Sequence, residues 1–224
     1  LRTHIQDYRD QYPLWPEHRK IVYDLLNCRT ARLGGHIDRC SHCGTLRVCY
    51  HSCRNRHCPK CQNHTTSQWI DKQQMKLLPV PYFMMTFTLP SELRSMVYRN
   101  QKRTYGLLFN CVASTLKDFG LNPKHLGAEI GMTMVLHTNS RRLNFHPHIH
   151  AVVPGGGIDK RRRRWKRVKT DYLFHHKALA KVFRARFLAG LQEAGLFIQQ
   201  PVPAKWVVDC TEAGKGMSAL KYLS

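Results

Sequence analysis

Asn144-Phe145-His146-Pro147-His148-Ile149-His150-Ala151-Val152-Val153-Pro154-Gly155-Gly156-Gly157 is the stretch that decides the fold. An apolar, β-branched run closed by Pro and three Gly predicts a strand ended by a tight glycine turn. Residues two apart share a face of a strand, so His146, His148, His150 and Val152 point one way and Ile149, Ala151 and Val153 the other. The second set is a core face and the first a row of imidazoles. At roughly 3.3 Å per residue, same-face neighbours lie about 6.6 Å apart, close enough for two imidazoles to share a metal, whereas His146 and His150 are about 13 Å apart. His148 and His150, flanking the inward Ile149, are therefore the candidate metal pair. Pro147 has no N–H for a ladder, which predicts that the strand proper starts after it.

Outward from this strand, residues 130–138 read as another strand, joined to it by the polar turn 139–143. The antiparallel pairing brings His137 across from the histidine row, as a candidate third ligand. Residues 82–89 read as a buried strand, 91–119 as helical, 178–196 as an amphipathic helix, 205–210 as a fourth strand and 218–224 as the start of a helix. Strand, helix, two paired strands, helix, strand, helix is the order of an α+β domain on an antiparallel sheet. It is expected over 80–224, after a helical lead (1–27) that docks, a metal-dependent segment (28–62) and a connecting helix (63–79).

That segment is crowded with Cys, His, Arg and Asn and has little to form an ordinary core. Cys40-x2-Cys43 and Cys58-x2-Cys61 have the spacing of two knuckles of one tetrahedral structural zinc site of the zinc-ribbon kind. Cys28, His36, Cys53 and His57 make a second, interleaved Cys2His2 site, or else are small core residues and solvated imidazoles, so one or two zinc ions are expected. Arg54, Arg56 and Lys60 lie between the ligands, where a rigid knuckle presents them to phosphates.

Composition points to the same partner. With 36 Lys+Arg against 14 Asp+Glu the chain carries +22, a balance that suits a polyanion, and 42% hydrophobic residues exclude a disordered chain. The run 160–169 adds Arg161, Arg162, Arg163, Arg164, Lys166 and Arg167 around Trp165, whose ring offers a stacking plane for an unpaired base. No apolar run approaches the roughly 20 residues of a membrane span and no signal peptide opens the chain, so a cytoplasmic protein is expected. A start without Met and an end inside a helix read as a fragment.

The knuckle Ser52-Cys53-Arg54-Asn55-Arg56-His57-Cys58-Pro59-Lys60-Cys61-Gln62, the strand end Phe87-Thr88-Leu89-Pro90, the segment from Asn144 to His150 and the helix start Leu220-Lys221-Tyr222-Leu223-Ser224 occur in one order across nearly the whole chain. In this it resembles the rolling-circle insertion-sequence transposases of the family numbered ninety-one. These are of the two-tyrosine type, within the HUH endonucleases, named for their His-hydrophobic-His motif. The resemblance implies a HUH nuclease domain with a ferredoxin/RRM-like core behind a zinc-binding domain, and a DNA transposase acting at transposon ends and target DNA within a bacterial nucleoid. It further implies that His148 and His150 bind Mg2+ or Mn2+, and that Tyr222 is the first nucleophilic tyrosine, cutting single-stranded DNA through a covalent 5′-phosphotyrosine. The family's second tyrosine is expected one helical turn further on, past Ser224. Two imidazoles suit manganese better than magnesium. The alternatives are a non-catalytic zinc-ribbon nucleic-acid-binding protein and a manganese-type metallohydrolase that uses water in place of tyrosine.

Overall fold

The computed structural model describes residues 2–140, 142, 144–168 and 173–223, with Glu17 described by its backbone alone. Leu143, at the end of the expected turn, Lys169, at the end of the basic run, and Ser224 lie outside the described residues. The chain divides into two compact units, Leu1–Lys72 and Gln73–Ser224.

The first unit opens with α1 (Ile5–Gln11) and α2 (Pro16–Asn27). Pro16 starts α2 because its missing N–H falls among the donors that a helix start leaves unpaired anyway. Cys28 follows as the C-terminal cap residue. A two-stranded antiparallel hairpin of β1 (Gly35–Arg39) and β2 (Leu46–Tyr50) comes next, and α3 (Pro59–Gln74) runs out of the unit.

The second unit holds β3 (Tyr82–Thr88), α4 (Arg94–Arg99), α5 (Gln101–Leu121), β4 (Thr133–Asn139), β5 (Phe145–Pro154), β6 (Gly156–Asp159), β7 (Arg164–Arg167), α6 (His176–Glu193), β8 (Val208–Glu212) and α7 (Met217–Leu223). Four strands form one antiparallel sheet in the order β4-β5-β3-β8. With α5 after β3 and α6 after β5, this is the βαββαβ arrangement of a ferredoxin-like core, as expected. Phe83, Met85 and Phe87 of β3 and Ile149, Ala151 and Val153 of β5 alternate onto one face and are covered by Leu108, Val112 and Leu116 of α5 and by Phe183, Phe187 and Leu191 of α6. Phe183 meets Phe87 edge to face at 5.2 Å and Trp206 at 5.4 Å between ring centroids.

Several boundaries differ from the sequence reading. The segment 91–119 is a single 3-10 turn that runs into α4, followed by α5, and the two helices are separated at Asn100, which at φ −126° and ψ 35° leaves helical dihedrals. The fourth strand begins at Val208, because Trp206 is buried as a core ring between Phe183 and Phe187. In place of a glycine turn, the chain bends at Gly155 and continues into β6, which pairs with β7 so that the basic run forms the second strand of a hairpin. Glycine is required there: a Cβ on Gly156 would lie 2.5 Å from the Trp165 ring, and one on Gly157 would lie 2.4 Å from the Glu129 carbonyl oxygen.

Pro147 lies inside β5, not before it, but at a break in the ladder. Between the pairs His137↔His148 and Asn139↔Phe145, β5 has one residue more than β4, which is a β-bulge. The pairing of β5 with β3 runs no further than Thr88↔His148, so the proline occupies a position where no ladder N–H is needed.

Removing the Phe183 ring is expected to lower stability by about 3–5 kcal/mol, the range for a large aromatic truncated in a packed core. Urea unfolding of Phe183→Ala followed by circular dichroism tests this.

A candidate metal centre beside an exposed tyrosine

Register places three histidines together. His137 pairs with His148, and His148 and His150 are two apart on β5, so all three share the face opposite the core. Each offers a nitrogen within 4.8 Å of the others, and the ring centroids lie 4.6 Å (His137–His150), 4.9 Å (His148–His150) and 5.4 Å (His137–His148) apart. His148 and His150 are 9% and 5% exposed.

The rings of His148 and His150 are each held at Nδ1 by a neighbour. The His146 carbonyl lies 2.6 Å from His148 Nδ1 and, having only lone pairs, accepts a proton that must be on that nitrogen. Thr86, directly across from His150 on β3, places its hydroxyl 3.0 Å from His150 Nδ1. In His148 Nε2 is then left with a lone pair, and His150 Nε2 is buried without any hydrogen-bond partner. An orphaned buried nitrogen in a trio of imidazoles fits the donor set of a divalent metal, for which the backbone carbonyl and Thr86 would be the outer shell. Burial, then the neighbouring His137 and His148, holds His150 down to about 4, so that the ring is neutral and ligand-ready. His137 is lowered by the same two causes, burial first and His148 second.

His146 is not part of the trio. The bulge carries it to Arg94, whose Nη2 lies 2.7 Å from its Nδ1, and burial followed by that guanidinium keeps its proton affinity low. Arg94 and Thr86 are contributors that the sequence reading missed. For Thr86 a signal existed, since Thr86 and Thr88 alternate with Met85 and Phe87. For Arg94 none did, because its partner is 52 residues away.

Tyr222 stands over this face. Its ring centroid is 5.3 Å from that of His150 and 6.0 Å from that of His137. Ala219, Leu220 and Leu223 are the buried residues of α7, which leaves Tyr222 51% exposed. The helix starts after Gly216, whose φ of +88° suits glycine, and which packs against Tyr82.

In the first unit the four cysteines brought together are Cys28, Cys53, Cys58 and Cys61. Sγ atoms lie 3.5 Å (Cys28–Cys61) and 3.6 Å (Cys53–Cys61) apart, against roughly 3.8 Å expected for a tetrahedron with Zn–S bonds of about 2.3 Å. The residues therefore fit zinc. Burial pushes the Cys28 and Cys53 thiols up, Cys53 to about 12. Cys58, against the same burial, is brought down to about 7 by the Cys61 backbone N–H and its three neighbours, so it is the first thiolate offered to a cation.

This corrects the pairing read from spacing. Cys40 and Cys43 occupy the exposed turn of the β1–β2 hairpin, and five residues of strand carry that turn about 16 Å from the hairpin's base. The C-terminus of α2 instead delivers Cys28. The Cys53 N–H reaches Cys28 Sγ, and Asn55 ties the loop to Asp24 at 2.9 Å while its side-chain oxygen accepts the His57 N–H. His57 is exposed and outside the cluster, and His36 lies instead with Asp38 and Cys49.

Of the cations read as nucleic-acid contacts, Arg54, Arg56 and Lys60 are exposed. Arg54 lines a cavity of about 630 Å³ together with Arg29, His36 and His51. Arg161, Arg163, Arg164 and Arg167 are exposed on the β6–β7 hairpin, Arg162 pairs with Asp159 at 3.8 Å, and Lys166 is turned inward onto the carbonyls of Leu126 and Gly127 at 3.2 Å. Trp165 lies over Gly156 and remains 38% exposed.

Two family models match the chain: the transposase zinc-binding domain of the IS91 type over residues 1–89, and the Y2_Tnp family, described as "Putative transposase", over residues 131–224. The chain is 41% identical over 195 residues to "Putative transposase y4qJ" of Sinorhizobium fredii (strain NBRC 101917 / NGR234), covering 87% of this chain and 49% of that protein. It is 33% identical over 167 residues to the "Transposase for insertion sequence element IS801" of Pseudomonas savastanoi pv. phaseolicola, covering 68% and 40%. The chain thus spans half or less of the length of these curated relatives. Among solved structures, TrwC complexed with a 27-mer DNA comprising the recognition hairpin and the cleavage site aligns with a TM-score of 0.42 and 19% identity over 58% of this chain and 49% of that one.

Two outcomes are expected. Thr86→Val removes the hydroxyl that orients His150 and lowers Mn2+ affinity roughly 10–100-fold without unfolding the chain, measured by calorimetric titration. With chelator present, His150 binds a proton more readily unfolded than folded. Its share of stability is therefore full above pH 6.5 and is lost as pH falls toward about 4. Denaturant midpoints taken between those pH values should fall less steeply in His150→Gln.

Proposed function

The chain belongs to the IS91 family of transposases, and on that premise we propose that its second unit cuts and rejoins single-stranded DNA through Tyr222. The observation that carries this reading is the exposed phenol of Tyr222 over three imidazoles whose ligand nitrogens converge. His137, His148 and His150 would hold the ion, which would supply Lewis-acid polarisation of the scissile phosphate and stabilise the charge that develops there; Mn2+ suits the imidazoles and Mg2+ is the second candidate.

The remaining work belongs to the chain's own residues. The His146 carbonyl keeps the Nδ1 proton of His148 in place, and the Thr86 hydroxyl holds the His150 ring through its Nδ1, which leaves Nε2 of each ring as the nitrogen that would serve the ion. The buried edge of α7 fixes the helix so that Tyr222 faces the same surface. The Tyr222 oxygen attacks the phosphorus and forms a P–O bond, while the bond to the 3′ oxygen breaks. The phenolic proton passes to solvent, and the departing 3′ oxygen is protonated to a free hydroxyl. The 5′ phosphate stays on tyrosine as a phosphodiester, so a second 3′ hydroxyl can reverse the step on a new strand without an external energy source. This is the cleavage and strand transfer of rolling-circle transposition.

DNA would be held by the exposed arginines of β7 and its turn, with Trp165 as a base platform, and by Arg54, Arg56 and Lys60 beside the zinc-thiolate cluster. The substrates proposed are transposon ends and target DNA in single-stranded form.

Incubation with end-labelled single-stranded DNA and Mn2+ on a denaturing gel is expected to give a slow protein–DNA adduct. The adduct should disappear in Tyr222→Phe, in His148→Ala and with EDTA. Cleavage without an adduct would favour water as the nucleophile, and salt-sensitive binding without cleavage in this chain would favour a nucleic-acid-binding module.

A further inference from the structure

We propose that the β1–β2 hairpin is a metal site of its own, with His36, Asp38 and Cys49 as ligands to a borderline divalent ion such as Zn2+ and His51 as the fourth. It is separate from the thiolate cluster and independent of the nuclease reading.

The register builds it. His36 pairs with Cys49 across the hairpin, Asp38 is two residues along β1 and His51 two along from Cys49, so all four side chains belong to one face. Ligand atoms of His36, Asp38 and Cys49 all lie within 4.8 Å of one another. The Asp38 carboxylate reaches both partners: the Cys49 thiol donates to it at 3.2 Å, and His36 Nε2 is 3.7 Å away. The His51 ring centroid is 5.7 Å from that of His36. Thiolate, carboxylate and neutral imidazoles are the mixed donor set zinc accepts, and one thiolate plus one carboxylate neutralise a divalent ion. Arg47, across from Asp38 on the same face, therefore meets no net positive charge there.

The hairpin also needs a clasp. All five residues of β1 and four of the five of β2 are exposed, and on the opposite face Ile37, Leu46 and Val48 are open to solvent. A two-stranded hairpin without a covered apolar face is marginal in water at best. A cross-strand ion joining His36 and Asp38 of β1 to Cys49 of β2 supplies what packing does not.

The test is zinc content of the folded full chain after dialysis against a weak chelator. The His36→Ala/Cys49→Ser double variant is expected to lose one equivalent per chain relative to the parent, and Cys49→His, a ligand-type replacement, to retain it. Cobalt titration reads the sites separately, because a tetrathiolate and a mixed-donor site absorb differently. Cys49→Ser should remove the mixed-donor component and leave the tetrathiolate component of Cys28, Cys53, Cys58 and Cys61. The proposal is overturned if the double variant keeps the parent's zinc and cobalt spectrum, or if the equivalent is lost in Cys40→Ser/Cys43→Ser and not in Cys49→Ser.

Discussion

Two imidazoles on the central strand of the sheet are almost out of water, and most of the second unit can be understood as the arrangement that tolerates them. Burial disfavours the charged form of His150, and the nitrogens of both rings need partners where water is nearly excluded. The protein gives Nδ1 of His148 the His146 carbonyl and Nδ1 of His150 the Thr86 hydroxyl, and leaves ligand nitrogens convergent. The core on the other face of β5 keeps the strand in place, and α7 packs its apolar edge while the Tyr222 ring lies beside His150. Removing the Thr86 hydroxyl would leave Nδ1 of His150 without the partner it has.

Thiols play the corresponding part in the first unit. Among its described residues Val22, Cys28 and Cys58 are the buried hydrophobics, so two of the three are members of the cysteine cluster. So small an apolar interior matches a module that a bound ion would complete; in comparable domains the ion supplies roughly 10–16 kcal/mol of apparent folding energy. The loop that completes the cluster is held by polar contacts, Asn55 to Asp24 and to the His57 N–H, and the residues after Cys28 and Cys53 are both arginines at positive φ. Those strained arginines line one cavity with His36 and His51.

The sheet was legible because its information is local. Alternation at a period of two named the core face of β5 and its imidazole face, and a short polar turn made β4 its neighbour and brought His137 across. Cysteine pairing was not legible, because two CxxC spacings look alike whether a knuckle joins a helix start, as Cys58 and Cys61 do, or caps a hairpin, as Cys40 and Cys43 do. Spacing records the distance along the chain and not the direction a strand carries it. The basic run read as an open face because nothing in it announces a partner; the pairing depends on Gly156 and Gly157 yielding room to Trp165 and Glu129. Arg94 and Asn100 escaped for the same reason, since the first acts through a residue on another element and the second through its own backbone angles.

The extra residue of β5 between Phe145 and His148 uncouples the register of the loop from that of the histidines. Side chains on a strand swap faces with every residue gained or lost, so a length change in the loop before β5 would ordinarily propagate into the histidines. Here the ladder is already out of step upstream of His148, while β3 holds the strand from His148 onward. The face on which His148 and His150 stand is thus set by β3 and not by the count of residues in the loop before them.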